Sequence, residues 1–189
     1  MERVFIFPGA WQGVKNYGGY RGAEIWLKNR DARDIPVAEW YIGHSMGANF
    51  ILAHHSSFKN GKFIFVNPLV RKRSIGVLVL RWMAFLLSEG IGKEKLVPAR
   101  YWWHGVKMVW RLLHTDVWHI MQTIPRENLI VIRGRRDDYF CDRKSAEMMQ
   151  NVGIRVIEVD AGHDWSDAIA EIVESCMAHR FNLVVSAEL

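Results

Sequence analysis

Only two cysteines, Cys141 and Cys176, occur in 189 residues. They cannot form a disulfide framework or a four-cysteine zinc site, and such sparing use suits a reducing compartment. Proline is scarce too, at five residues, and no Pro-, Gly- or Ser-rich stretch interrupts the chain. With no linker, repeat or low-complexity segment, one domain covering 1–189 is expected. Long apolar runs are missing. The longest, 75–87, has 13 residues and contains Arg81, well short of the roughly 20 needed to span a bilayer. Near the N-terminus the apolar stretch 4–7 is cut off by Pro8-Gly9, too short for the core of a secretory signal. A soluble cytoplasmic protein is expected. No basic stripe interleaved with aromatics marks a nucleic-acid surface, and the net charge of +5 reads as solubility.

What is present is a globular composition: half the residues are hydrophobic and 24% are charged. Short apolar runs alternate with helical stretches. Strands are expected at 3–7 (RVFIF), 38–42, 62–66 (KFIFV), 128–133 (NLIVIR) and 154–159. Helices are expected at 22–29, 46–56, 143–151 and 165–179. This alternation describes an α/β three-layer sandwich: a reduced, mainly parallel sheet of about five strands with helices on both faces. Residues 71–125 break the rhythm. They are rich in Trp, Leu, Val and Met, with helical runs at 75–87 and 101–113 weakened at Gly105. The segment reads as a helical cap over the carboxyl ends of the strands, or as an extra core layer.

Gly43-His44-Ser45-Met46-Gly47 lies between an expected strand and an expected helix. A serine there sits on a tight, strained turn that lifts its hydroxyl above the sheet, and the flanking glycines let strand and helix approach. The helix N-terminus favours developing negative charge. Serine alone is a weak nucleophile and needs a base and an orienting acid, on later strand–helix loops. Gly134-Arg135-Arg136-Asp137-Asp138 follows the fourth strand and Ala161-Gly162-His163-Asp164-Trp165 the fifth. His163 is the expected base. Asp137 is preferred to Asp138 as the acid because its spacing from Gly134 suits the loop; Asp160 and Asp164 are too close to His163 in sequence. His44 points away from the nucleophile and is expected to pack. His54 and His55 end the following helix, one of His104, His114 and His119 could touch a substrate, and His179 faces solvent. Two N–H donors are needed for an oxyanion. Met46 is one, and Ala10, with Trp11 as runner-up, supplies the other from the loop after the first strand. The apolar insertion implies an acyl or aromatic group in the substrate, and Trp11, Leu80, Trp82 and Phe85 are the expected substrate-binding residues. No metal or organic cofactor is called for.

Together FIFPGAW, GHSMG, GRRD and GHDW resemble the α/β-hydrolase fold superfamily over most of the chain. GHSMG beside a Pro-Gly loop is also similar to small esterases and type II thioesterases. The resemblance implies a Ser45–Asp137–His163 triad, with Ala10 and Met46 as oxyanion donors, acting on an ester or thioester of a small molecule. It leaves open acyl transfer by the same residues and a binding protein that has lost activity, and it does not speak to oligomeric state. There are departures. The chain begins at the strand that members call the third, and 31 residues separate Trp11 from Gly43 where members fit two helices and a strand. Residues 32–37 are a possible remnant of that strand.

Overall fold

The computed structural model describes residues 2–27, 35–58, 61–90 and 92–178. Five strands form one sheet: β1 (Glu2–Phe7), β2 (Ala38–His44), β3 (Lys62–Val66), β4 (Leu129–Gly134) and β5 (Arg155–Val159). All pairings are parallel and the spatial order is the chain order. The helices are α1 (Met46–Ala53), α2 (Ile75–Ser88), α3 (Trp102–Leu113), α4 (Val117–Thr123), α5 (Arg143–Gln150) and α6 (Asp167–Ala178). This is the expected α/β three-layer arrangement with a reduced parallel sheet.

Strand side chains alternate across the sheet with period two. Phe5, Phe7, Tyr41, Phe63, Phe65, Leu129 and Val131 face one layer. Ile6, Trp40, Ile42, Ile64, Val66, Ile130 and Ile132 face the other. The first face is largely aromatic, with Phe7 stacked on Phe50 of α1 at 5.5 Å between ring centroids. It is covered by α1, α3, α4 and α5. Connections of one hand between successive parallel strands fall on the same side of the sheet, which accounts for the crowding of helices there. Among the described residues, α6 alone among the helices covers the aliphatic face, through Ile169, Val173, Cys176 and Met177, helped by Tyr17 from the loop after β1.

The loop after β1 leads into β2. Among its described residues the regular element is a 3-10 turn, Val14–Asn16. The free edge of β1 is met by one parallel bridge from Ile6 to Gly22, made by Ile6 N–H to Arg21 O (2.9 Å) and Ala23 N–H to Ile6 O (3.0 Å). The helix expected at 22–29 is not formed over 22–27, which bridge the strand and then turn; its last two residues lie outside the described residues. So do 32–34 of the possible strand remnant, and 35–37 are not strand. The bridge pairs the start of 22–27 with the edge of β1 in place of a first helical turn. His179 also lies outside the described residues. Helix α4 was not expected; Asp116 caps it by accepting from His119 N–H. Helix α3 tolerates Gly105 because the Trp11 indole packs where a Cβ would project. Among the described residues no helix is long and apolar enough to cross a membrane.

Candidate active site

In-register parallel pairing brings every strand's carboxyl end to one edge of the sheet: Phe7 lies beside Gly43, Val66 beside Ile132, Gly134 beside Val159. Loops 8–12, 67–70, 134–141 and 160–165 therefore open side by side, the usual ligand edge of a parallel sheet.

Ser45 occupies the turn between β2 and α1 with φ 51° and ψ −120°. A non-glycine residue holds such a conformation only when its surroundings enforce it. Here β3 fixes the turn through Ser45 N–H to Val66 O, 2.8 Å. Both neighbouring glycines are required by space. A Cβ on Gly43 would enter the Ala48 backbone, and one on Gly47 would enter the carbonyl of Phe7.

The Ser45 hydroxyl lies 2.9 Å from His163 Nε2, and His163 Nδ1 lies 2.6 Å from Asp137 Oδ2. All three side chains are buried. Asp137 also accepts from the N–H groups of Tyr139, Phe140 and Cys141. Burial works to raise its pKa, but His163 and these N–H donors outweigh burial and hold it at about 2. The neighbouring carboxylates sit elsewhere. Asp138 is exposed, Asp160 pairs with Arg136, and Asp164 with Lys95 and Gln12. Among the described residues the N–H groups of Ala10 and Met46 meet no acceptor. Trp11 takes φ 57° at the turn closed by Gln12 N–H to Gly9 O.

These groups floor a cavity of about 370 Å³ walled by α2 and α3. Its walls are nearly all apolar. Trp11, Trp82 and Phe85 line it. Leu80 does not. It is 70% exposed on the outer side of α2, so its assignment to substrate is corrected. Where a helix is apolar all round, composition does not reveal the inward face. Phe85 is buried, edge-on to the His163 ring at 5.4 Å. Of the histidines, His44 and His163 reach the cavity; His104, His114 and His119 do not.

His44 does more than pack. Its Nε2 donates to the carbonyl oxygen of His163 (2.9 Å), and its Nδ1 faces the Tyr17 hydroxyl at 2.7 Å. Tyr17 accepts from Gly9 N–H (2.8 Å) and has one proton for two acceptors, His44 Nδ1 and Gln12 Oε1. Burial, then the neighbouring His163, pushes the His44 pKa down to about 4, so its ring is neutral near neutral pH. Asn67 is fully buried with φ 48°. It donates to the carbonyls of Gly162 and His163 and accepts from Gly134 N–H, joining the acid loop to the histidine loop. Two ties run from α2: Arg81 donates to the carbonyls of Asp138 and Tyr139, and Glu89 accepts from His163 N–H. Sequence reasoning did not assign site roles to Tyr17, Asn67 or Glu89. Only Arg81 left a signal, as the one charge inside an apolar run.

A parallel five-stranded sheet with a strained serine turn after one strand and acid and histidine loops after the last two is the α/β-hydrolase fold in reduced form. Solved structures agree. An α/β-hydrolase enzyme from a sediment metagenome of the Mar Chica lagoon, Morocco, superposes with a TM-score of 0.54 at 13% identity, over 95% of this chain and 91% of its own. An N-formylmaleamic acid deformylase from Pseudomonas putida S16 gives 0.52 at 14% identity over 92% and 91%. A carboxylesterase structure from Nitrososphaera gargenis gives 0.51 at 12% over 95% and 90%. At these identities the likeness is one of fold. No protein-family model matches the chain, and no curated protein matches it.

Proposed function

We propose that the chain is a serine hydrolase that cleaves a carboxylic ester or thioester through an acyl-enzyme. The observation that carries this reading is the buried chain Ser45–His163–Asp137, with steps of 2.9 and 2.6 Å, at the floor of an apolar cavity. His163 takes the Ser45 proton as the hydroxyl attacks the carbonyl carbon. Asp137, held ionised, orients the imidazole and stabilises its cationic form. Ala10 and Met46 line the cavity, and on this reading their N–H groups bind the oxyanion, one such donor contributing roughly 3–4 kcal/mol. Collapse expels the alcohol or thiol, which takes the proton from His163. Water activated by the same histidine then releases the acid.

The helical segment 71–125 is, on this reading, a cap on a single domain, with the acyl group lying along Trp11, Trp82 and Phe85. Both cysteines are buried free thiols, which suits the cytoplasm. A panel of nitrophenyl esters and acyl thioesters of increasing chain length tests the proposal. Turnover is expected in the wild type and only background in a folded Ser45→Ala protein; Ser45→Ala turnover with the wild-type pH profile would refute it.

A further inference from the structure

We propose that the mouth of this cavity docks on an anionic lipid bilayer, with α2 and α3 as the docking surface. Helix α2 has 14 residues with one charge, yet Phe85 is its only buried side chain. Val77, Leu80, Ala84 and Leu87 recur at helical spacing along its outer side, and all are exposed, Leu80 at 70% and Leu87 at 83%. Helix α3 is anchored by Gly105, Met108 and Leu112 and turns Trp102 and Trp103 outward. Ile75, Val79, Met83, Val106 and Trp110 both line the cavity and are exposed. The opening above Ser45 is therefore ringed by apolar side chains. A contiguous exposed apolar rim of this kind marks an interaction site.

Charge decides the occupant. Residues 71–125 carry nine Lys and Arg against three Asp and Glu, while the rest of the chain carries sixteen against seventeen. The positive excess of the protein lies in the segment that bears the exposed apolar helices; Arg71, Arg73 and Arg81 pair with Asp142, Lys72 with Asp116 and Lys95 with Asp164, so the cations offered to a partner are those on and beside α3. Lys107 sits over the Trp103 ring at 5.6 Å and Arg100 over the Tyr101 ring at 5.0 Å. Among the described residues, no carboxylate pairs with Arg100, Lys107 or Arg111. Cations beside tryptophans on an apolar surface match the interface of a bilayer containing acidic lipids, where each Lys or Arg adds attraction and each apolar side chain enters the headgroup boundary. A second copy of the chain fits less well, because face-to-face pairing would set two such positive segments against each other.

Docking would set the cavity mouth against the acyl region, so that, resting on the hydrolase reading above, the substrate is an ester dissolved in the bilayer. The experiment is sedimentation with vesicles of phosphatidylcholine alone and of equal parts phosphatidylcholine and phosphatidylglycerol. The wild type and Ser45→Ala should both pellet with the acidic vesicles, and salt should weaken this. Lys107→Glu with Arg111→Glu, and separately Leu80→Asp with Leu87→Asp, should each lower affinity by about tenfold or more, with circular dichroism and hydrolysis of a soluble nitrophenyl ester unchanged. Hydrolysis of a vesicle-borne ester should fall in parallel. Failure of every ester assay with docking intact would refute the hydrolase reading and leave the docking. Docking is overturned if the wild type stays in the supernatant, if the variants bind as it does, if neutral vesicles bind equally well, or if sedimentation velocity shows a dimer that Leu80→Asp with Leu87→Asp dissolves.

Discussion

The sheet and helix α2 are two of the chain's most apolar stretches, and they end in opposite places. Strand β4 is buried at every residue, as are all but the first residue of β3. Helix α2 buries only Phe85. In the strands, alternation sends most aromatic side chains to one layer and most aliphatic ones to the other, so that both faces find partners. In α2 the apolar residues exceed what one contact face can cover. The helix is instead positioned by polar ties at two points, Arg81 to the acid loop and Glu89 to the backbone of His163. Its inward stripe walls the cavity and its outward stripe is left in contact with solvent. Apolar composition alone therefore marks a folding core in one region and a working surface in the other.

The comparison can be tested by substitution in each region. The largest effect belongs to the carboxyl edge of the sheet: Asp137→Asn should lower kcat about ten-thousandfold on a soluble ester, by holding the wrong tautomer of His163. If Asp138→Asn is the damaging change instead, the acid has been misassigned despite the 2.6 Å contact. In the aromatic layer, Phe65→Ala should cost about 3–5 kcal/mol in urea denaturation. Phe85→Ala should cost a similar amount, as the one buried side chain of α2.

A pH effect comes next. The folded pKa of His44 is about 4, below the unfolded value near 6.5. The unfolded chain therefore binds this proton more readily. Stability should rise between about pH 4 and 6.5 and then level off, the full span reaching about 3 kcal/mol for this group. His44→Gln should flatten that rise in denaturation midpoints taken across the window. An unchanged slope would mean that other groups dominate. The smallest effects lie on the cap. Trp82→Ala should alter acyl chain-length preference more than stability. Leu87→Ala, at an exposed position, should stay within about 0.5 kcal/mol, and a loss comparable to that of Phe65→Ala would erase the contrast between the two regions.

Much of this architecture was legible in the sequence because it is local. The five strands could be read from short apolar runs between turn residues, and the elbow from five consecutive residues. Asp137 was separated from Asp138 by its distance from Gly134, and in the structure Asp137 is the one that meets His163. What stayed hidden depends on contacts between distant parts of the chain. Asn67 reaches loops 67 and 96 residues away, and Tyr17 reaches His44 across the β1–β2 connection. Neither carries a motif. Leu80 was misread for a different reason: in 75–87 nearly every position is apolar, so no stripe distinguished inside from outside. The helix expected at 22–29 failed over its described part because the free edge of β1 recruited residues 21–23, a demand that propensity does not register.

The central claim is that Ser45 is an activated nucleophile. Its most direct test is incubation with a fluorophosphonate, followed by intact-mass and peptide analysis. One adduct per chain is expected, on Ser45, formed rapidly by the wild type, far more slowly by Asp137→Asn, and not at all by Ser45→Ala. An unmodified wild type, or an adduct on any other residue with Ser45 free, would contradict the account.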